Sequence, residues 1–143
     1  MSAHYDTFPA HKQPSIRVSM MPKETNALGT IFGGVILSYI DQAAFIEARE
    51  HGHHRWVTVS VDKVDFHAPV LVGDVVSFLT ATEHTGTTSV RVCIRVEAER
   101  YSTREVVRVT EAQLTMVAVN AAGRPIPFST PPTIGGPGFE EGR

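Results

Sequence analysis

Asn26-Ala27-Leu28-Gly29-Thr30-Ile31-Phe32-Gly33-Gly34 runs straight into Val35-Ile36-Leu37-Ser38-Tyr39-Ile40-Asp41-Gln42-Ala43-Ala44-Phe45-Ile46, and this junction decides the fold. The first half has the glycine and asparagine content of a loop. From Gly33 to about His51 the apolar residues Val35, Ile36, Tyr39, Ile40, Ala43, Ala44 and Ile46 return at intervals of three and four, the period of a helix with one face turned to a core. Gly52 supplies a C-terminal stop. No other stretch carries this period convincingly, so one long helix is expected.

Working outward, almost everything else has strand character. Residues 1–14 are polar with Pro9 and Pro14 and predict a loose arm, after which Ile16 to Met21 forms a short strand that Pro22 ends. Beyond the helix come Trp56 to Phe66, Val75 to His84, Thr88 to Arg100 and Glu105 to Asn120. The third of these alternates plainly: Val90, Val92, Ile94 and Val96 fall on one face, and Ser89, Arg91, Cys93, Arg95 and Glu97 on the other, so one face is expected to be buried. Pro69 with Gly73-Asp74, Gly86 between two threonines, and Ala121-Ala122-Gly123-Arg124 mark the turns. From Pro125 the chain carries five prolines and four glycines in nineteen residues, which predicts a flexible tail over 126–143 and leaves one α+β domain over residues 15–125.

A single amphipathic helix covers only part of one face of such an antiparallel sheet, and an alternating strand at its border leaves an edge open to pairing. Wrapping the sheet of about five strands round the helix solves the first difficulty. Pairing two chains edge to edge solves the second.

Composition narrows the function. The 143 residues carry a formal net charge of -2, which offers no electrostatic reason to bind nucleic acid. The longest apolar run, Ile31 to Leu37, is far short of the roughly 20 residues of a membrane helix, so no membrane association is expected. The lone Cys93 forms no internal disulfide, and the start Met1-Ser2-Ala3-His4-Tyr5-Asp6 lacks the features of a secretory signal; a cytoplasmic location follows as the expectation.

The chemistry-bearing residues gather at the same junction. Gly33 and Gly34 at a helix start either permit tight packing or present free N–H groups to a developing negative charge. Asp41 lies on the stripe Leu37, Asp41, Ala44, Phe45, Ala48, where a charge normally needs a partner or a task, although a solvated carboxylate is the ordinary alternative. Asn26 reads most simply as a turn or capping residue, with its carboxamide close in sequence to the helix start. Together these are parts for hydrolysing an activated acyl group. His51-Gly52-His53-His54 invites a metal reading, but no ligand set at recognised spacing completes it, and histidines also suit the negative end of a helix, so no metal is expected. There is no G-x-S-x-G elbow, and Cys93 has no evident histidine partner.

The order of elements and the segments Met21-Pro22-Lys23-Glu24-Thr25-Asn26, Gly29-Thr30-Ile31-Phe32-Gly33-Gly34, Asp41-Gln42-Ala43-Ala44, Val64-Asp65-Phe66-His67-Ala68-Pro69-Val70, Val72-Gly73-Asp74-Val75 and Gly86-Thr87-Thr88-Ser89-Val90 resemble the hotdog-fold acyl-CoA thioesterases of the YciA and brain acyl-CoA hydrolase type. The resemblance covers roughly residues 16–125. It implies hydrolysis of an acyl-CoA thioester with coenzyme A as part of substrate and product rather than a cofactor, a homodimer as the minimal active unit, and frequently a trimer of such dimers. By the same resemblance, Asp41 acts as general base or nucleophile, Asn26 as a functional amide and Gly33 as oxyanion donor. Gly34 and Phe32 border the substrate beside them. The resemblance also sets Gly86, Thr87, Thr88 and Ser89 near coenzyme A, although a hairpin turn explains them equally without a ligand. Arg91 and Arg95, on the polar face of their strand, are phosphate candidates or ordinary surface charges, and Lys63 and Arg124 are weaker candidates.

Spacing adds a constraint. Asp41 is eight residues beyond Gly33, about 12 Å along a helix axis, whereas a base must come within roughly 3 Å of its proton or reach it through a water. Two chains with antiparallel helices across a twofold axis bring one Gly33 to the other's Asp41 and create two composite sites. Among other functions of hotdog domains, a sensor needs a DNA-binding segment for which there is no room. A dehydratase needs a histidine near the central helix, and none lies within residues 26–50. A non-catalytic acyl-CoA-binding protein remains the alternative, opposed by the presence of both Asp41 and Asn26.

Overall fold

The computed structural model describes residue 8 and residues 13–135. Strand β1 spans Ile16–Ser19, helix α1 Gly33–Arg49, and strands β2 to β5 span Arg55–Phe66, Val75–Thr85, Ser89–Glu99 and Val106–Val119. A single 3-10 turn, Pro22–Glu24, lies between β1 and α1. The strands form one antiparallel sheet in the order β1-β3-β4-β5-β2, and it curls round α1, which touches β2, β3, β4 and β5. This is the sheet wrapped round one helix that the helical period and the alternating strands predict, and the hotdog architecture that the resemblance implies.

The core follows the pattern of the sequence. Ile36, Ile40, Ala43, Ala44 and Ala48 are buried on one side of α1, and the three alanines let its backbone approach the sheet closely. Val90, Val92, Ile94 and Val96 of β4 face them and are buried, as alternation predicts. Each such aliphatic side chain contributes about 1.5–3 kcal/mol through burial. Asp74 is also buried and accepts hydrogen bonds at Oδ2 from Arg100 Nη1 at 2.6 Å and from Leu71 N–H at 2.8 Å. Arg100 Nη1 further donates to Pro69 O at 3.0 Å, which ties the loop after β2 to the end of β4.

The other face of β4 differs from expectation. Cys93 is as buried as the core, in a small cluster with Leu79 and Ala81 under the ring of Phe8, and the Arg95 guanidinium lies 5.0 Å from that ring's centre. The alternation correctly puts Cys93 opposite the valines, but it carries no sign that an aromatic from the N-terminal arm covers it. Residues 1–7 and 9–12 of that arm lie outside the described residues.

The expected tail is a second difference. Residues 126–135 lie against the folded domain: Ile126 N–H donates to Ala118 O at 2.9 Å, Phe128 N–H to Thr87 O at 3.2 Å and Thr133 N–H to His53 O at 3.1 Å. Proline and glycine content argues against a regular ladder but not against docking, and Phe128 and Ile126 supply the apolar anchors that a count of breakers overlooks. Residues 136–143 lie outside the described residues.

Strand β2 is the long open edge. Among the described residues it pairs only with β5, over a register broken between Thr58 and Ser60 and between Val61 and Lys63. Val57, Val59 and Val61 on it are 41%, 55% and 50% exposed, an apolar edge of the kind that invites pairing with another chain.

Candidate active site

Helix α1 begins without a side-chain cap. Its N-cap residue is Phe32, whose ring is half exposed, and among the described residues the N–H groups of Gly33 and Gly34 donate to no protein acceptor. Gly33 opens onto a groove of about 340 Å³, walled by Ile31, Ile36, Phe66 and the segment from His67 to Val70. A Cβ built on Gly33 would meet only the Phe66 ring, at 3.6 Å, and one on Gly34 would meet nothing within 4 Å. The groove wall is held in place: Ile31 N–H donates to Val70 O at 2.9 Å, and Thr30 bridges Leu71.

Two turns along the helix, Asp41 lies in a second, more apolar groove of about 420 Å³ with Leu37, Ile40, Thr58, Val61 and Leu114. Phe66 lines both grooves. The Thr58 hydroxyl donates to Asp41 Oδ1, and Thr58 also packs against Met116 Sδ at 3.2 Å. Asp41 is exposed in the single chain, so the desolvation suggested by its apolar stripe is not supplied by its own chain. Sequence reasoning missed Thr58 and the position of Phe66 between the grooves. The available signal was the alternation of β2: Trp56 points inward, and two residues later a polar Thr58 occupies the next inward position.

Asn26 has more structural employment than expected. Its Oδ1 accepts the N–H groups of Leu28 at 2.8 Å and Thr30 at 3.1 Å, while Nδ2 donates to Thr30 Oγ1 at 2.9 Å. The carbonyl is therefore committed to bracing the loop, and one hydrogen of the amide remains for a ligand.

Gly86, Thr87 and Thr88 form the β3–β4 hairpin, exposed at Gly86 and Thr87 and half-buried at Thr88, with Gly86 N–H bonded to Ser89 O at 2.8 Å. Arg91 is not placed for phosphate: Nη1 pairs with Asp62 at 2.9 Å, Nη2 donates to Gln113 at 2.5 Å and Nε faces Glu83 at 3.4 Å. Three acceptors on the outer sheet face occupy the planar fork, so the phosphate role expected for it is corrected to a structural one. Arg95 pairs with Glu97 at 3.0 Å, and Lys63 approaches Asp65 at 3.8 Å. Arg124 is exposed in the turn after β5, and Val119 bridges Pro125 next to it. The histidine run holds the C-terminal segment: His54 is fully buried, with Nε2 2.9 Å from Phe128 O and Nδ1 2.9 Å from Thr133 Oγ1.

Comparison with known proteins agrees with this geometry. The family model of the thioesterase superfamily matches residues 28–103. An uncharacterised acyl-CoA thioester hydrolase of Zymomonas mobilis is 40% identical over 115 residues, covering 79% of this chain and 76% of its own. The acyl-CoA thioester hydrolase YciA of Escherichia coli K12 is 40% identical over 113 residues, covering 77% of this chain and 86% of its own. Among solved structures, a hexameric hotdog-fold thioesterase of Campylobacter jejuni superposes with a TM-score of 0.79 at 39% identity, over 84% of this chain and 92% of the other. A hexameric thioesterase of Yersinia pestis gives 0.80 at 38% identity, over 85% and 99%. With one curled sheet round one helix and these relatives across most of its length, the chain belongs to the hotdog-fold thioesterase superfamily, among the YciA-type acyl-CoA thioester hydrolases.

Proposed function

We propose that the protein hydrolyses acyl-CoA thioesters to free acid and coenzyme A, with Asp41 as the general base and the Gly33 N–H of a second subunit as the oxyanion donor. The observation that carries this reading is the pairing of an uncapped, glycine-led helix start with a carboxylate whose second oxygen is left free by Thr58. In the reaction Asp41 takes a proton from water as the water oxygen attacks the acyl carbon. The carbonyl oxygen becomes anionic and is held by the N–H of Gly33, with Gly34 and Phe32 beside it. Collapse breaks the carbon–sulfur bond and expels the coenzyme A thiolate, which regains a proton on release. Asn26 contributes its remaining amide hydrogen.

The roughly 12 Å between Gly33 and Asp41 along one helix supports a site shared between two chains, and the exposed valines of β2 supply an edge for them to meet. Hexameric relatives support a further assembly of three such dimers. For coenzyme A we assign the 86–89 hairpin. Thr58, Met116 and Val90 stand opposite one another across β2, β5 and β4, so the end of the hairpin at Thr88 and Ser89 lies two strand spacings, roughly 10 Å, from the Asp41 partner. For phosphate contact we assign exposed Arg124 in place of Arg91, whose guanidinium is held by Asp62, Gln113 and Glu83. The lone reduced cysteine fits action in the cytoplasm.

The test is release of coenzyme A thiol from short, medium and long acyl-CoAs by the wild type and by Asp41→Ala. Turnover that collapses in the folded variant supports the reading. A wild type that releases no thiol, yet melts at a higher temperature with acyl-CoA, overturns it in favour of a binding protein.

A further inference from the structure

The C-terminal segment is built into the domain at both of its flanks. On one side Phe128 N–H donates to Thr87 O at 3.2 Å, and Ile126 N–H donates to Ala118 O, whose own N–H donates to Thr88 O, each at 2.9 Å. Two carbonyls of the β3–β4 hairpin are thus fixed, one directly and one through a single residue of β5. On the other side Phe128 O and the Thr133 hydroxyl meet the two ring nitrogens of the fully buried His54. A carbonyl only accepts, so His54 Nε2 carries the proton, and in the neutral ring Nδ1 accepts from Thr133. The Phe128 ring sits 5.8 Å from the rings of both Trp56 and His51. Nothing larger than glycine fits at residue 52, where a Cβ would lie 2.7 Å from Phe128 O and 2.8 Å from His54 Cδ2.

We infer that residues 126–133 are a brace that fixes the 86–88 hairpin for coenzyme A, so that Phe128, His54 and Gly52 are positioning residues for substrate affinity though none of them reaches the acyl group. The inference rests on the assignment of that hairpin to coenzyme A. Of the hairpin's polar groups, the Thr87 and Thr88 carbonyls face the brace and β5, which leaves the hydroxyls of exposed Thr87 and half-buried Thr88 for a ligand. A hairpin tip that loses its backing must be ordered again each time the nucleotide binds, and that cost falls on affinity and not on the chemical step at Asp41. The segment also closes against the α1–β2 connection, so the brace links the end of the central helix to the nucleotide loop.

Full-length Gly52→Ala, which displaces the Phe128 carbonyl, and Phe128→Ala, which removes the ring and keeps the backbone, separate the two halves of the brace. Binding of free coenzyme A by titration calorimetry and the kinetics of acyl-CoA hydrolysis are measured for both. Loss of one or two hydrogen bonds' worth of support predicts that Kd and KM rise together by about threefold to tenfold while kcat stays within about twofold. Wild-type Kd and KM in a folded variant overturn the inference, as does a loss confined to kcat or a fall in melting temperature with affinity unchanged. A wild type that neither binds coenzyme A nor releases thiol would instead remove the thioesterase reading beneath it.

Discussion

The hydroxyl of Thr58 on β2 donates to Asp41 Oδ1 on α1, seventeen residues away in sequence and on a different element. A hydroxyl has one proton, and giving it to Oδ1 fixes the plane of the carboxylate and leaves Oδ2 to accept from water. A hydrogen bond to a charged group is worth about 1.5–3 kcal/mol, so Thr58→Val is expected to lower kcat by roughly tenfold to a hundredfold. Thr58→Ser keeps the donor and restores most of the rate. Steady-state kinetics on both variants decide it, and equal rates for valine and serine would show that the hydroxyl has no part in positioning Asp41.

Because Gly33 and Asp41 of one chain stand about 12 Å apart, lesions at the two ends of the helix should complement each other. Asp41→Asn inactivates one end. Asn26→Ala, which releases the N–H groups of Leu28 and Thr30 from the carboxamide, disables the other. After unfolding and refolding a one-to-one mixture, half the dimers are mixed and each holds one intact composite site, so about a quarter of wild-type activity is expected from two inactive parents. No recovery in such a mixture counts against shared sites.

The sequence carried the elements, because helix and strands depend on local periodicity, and it placed the proposed site at the junction before the helix. The helix runs from Gly33 to Arg49 against an expected Gly33 to about His51, and each long strand lies within a residue or so of its expected bounds. What escaped were contacts that only the closed sheet creates. Thr58 reaches Asp41 between the sheet and the helix, at a surface the single chain leaves exposed. Arg91 reads as a free cation along β4, yet Asp62, Glu83 and Gln113 converge on it from three other strands or positions. His54 looks like one of a histidine run at a helix end, and its partners are 74 and 79 residues further on. Of the two readings of Asn26 the turn role is the one seen: its carbonyl serves the loop, while one amide hydrogen stays free.

Cys93 provides a test of the N-terminal arm. Burial under Phe8 and the carboxylate of Glu83, whose Oε2 accepts the thiol proton at 2.9 Å, push the thiol up to about 12 from its ordinary 9.0. At pH 8 the native protein should resist a thiol reagent that labels it at once in urea, and Phe8→Ala should label faster while still folded. The linkage has a definite sign: between about pH 9 and 12 the unfolded chain has lost a proton that the folded one keeps, so stability falls as pH rises, by up to about 1.4 kcal/mol per unit. Urea unfolding across that range should show this slope in the wild type and a smaller one in Cys93→Ala. Native labelling as fast as in urea would mean that Phe8 does not cover the thiol.

Gly33 allows the proposed oxyanion donor to be removed without removing the helix. It is the first helical residue, where proline is well tolerated because that N–H has no helical acceptor, and Phe32 before it already has the extended backbone, φ -56° and ψ 134°, that a following proline requires. Gly33→Pro therefore deletes one N–H and leaves the fold able to form, while Gly33→Ala keeps the N–H and adds a methyl at an ordinary 3.6 Å from Phe66. Loss of one oxyanion donor typically costs about 2.7–4 kcal/mol, a hundredfold to a thousandfold in kcat. The proline variant should lose that much with its melting temperature little changed, and the alanine variant should retain most of the rate. If both lose rate equally, the groove's shape at Gly33 matters and its N–H does not. If the proline variant turns over like the wild type, the oxyanion is held elsewhere, and the neighbouring N–H of Gly34, also without a protein acceptor, becomes the donor to delete next.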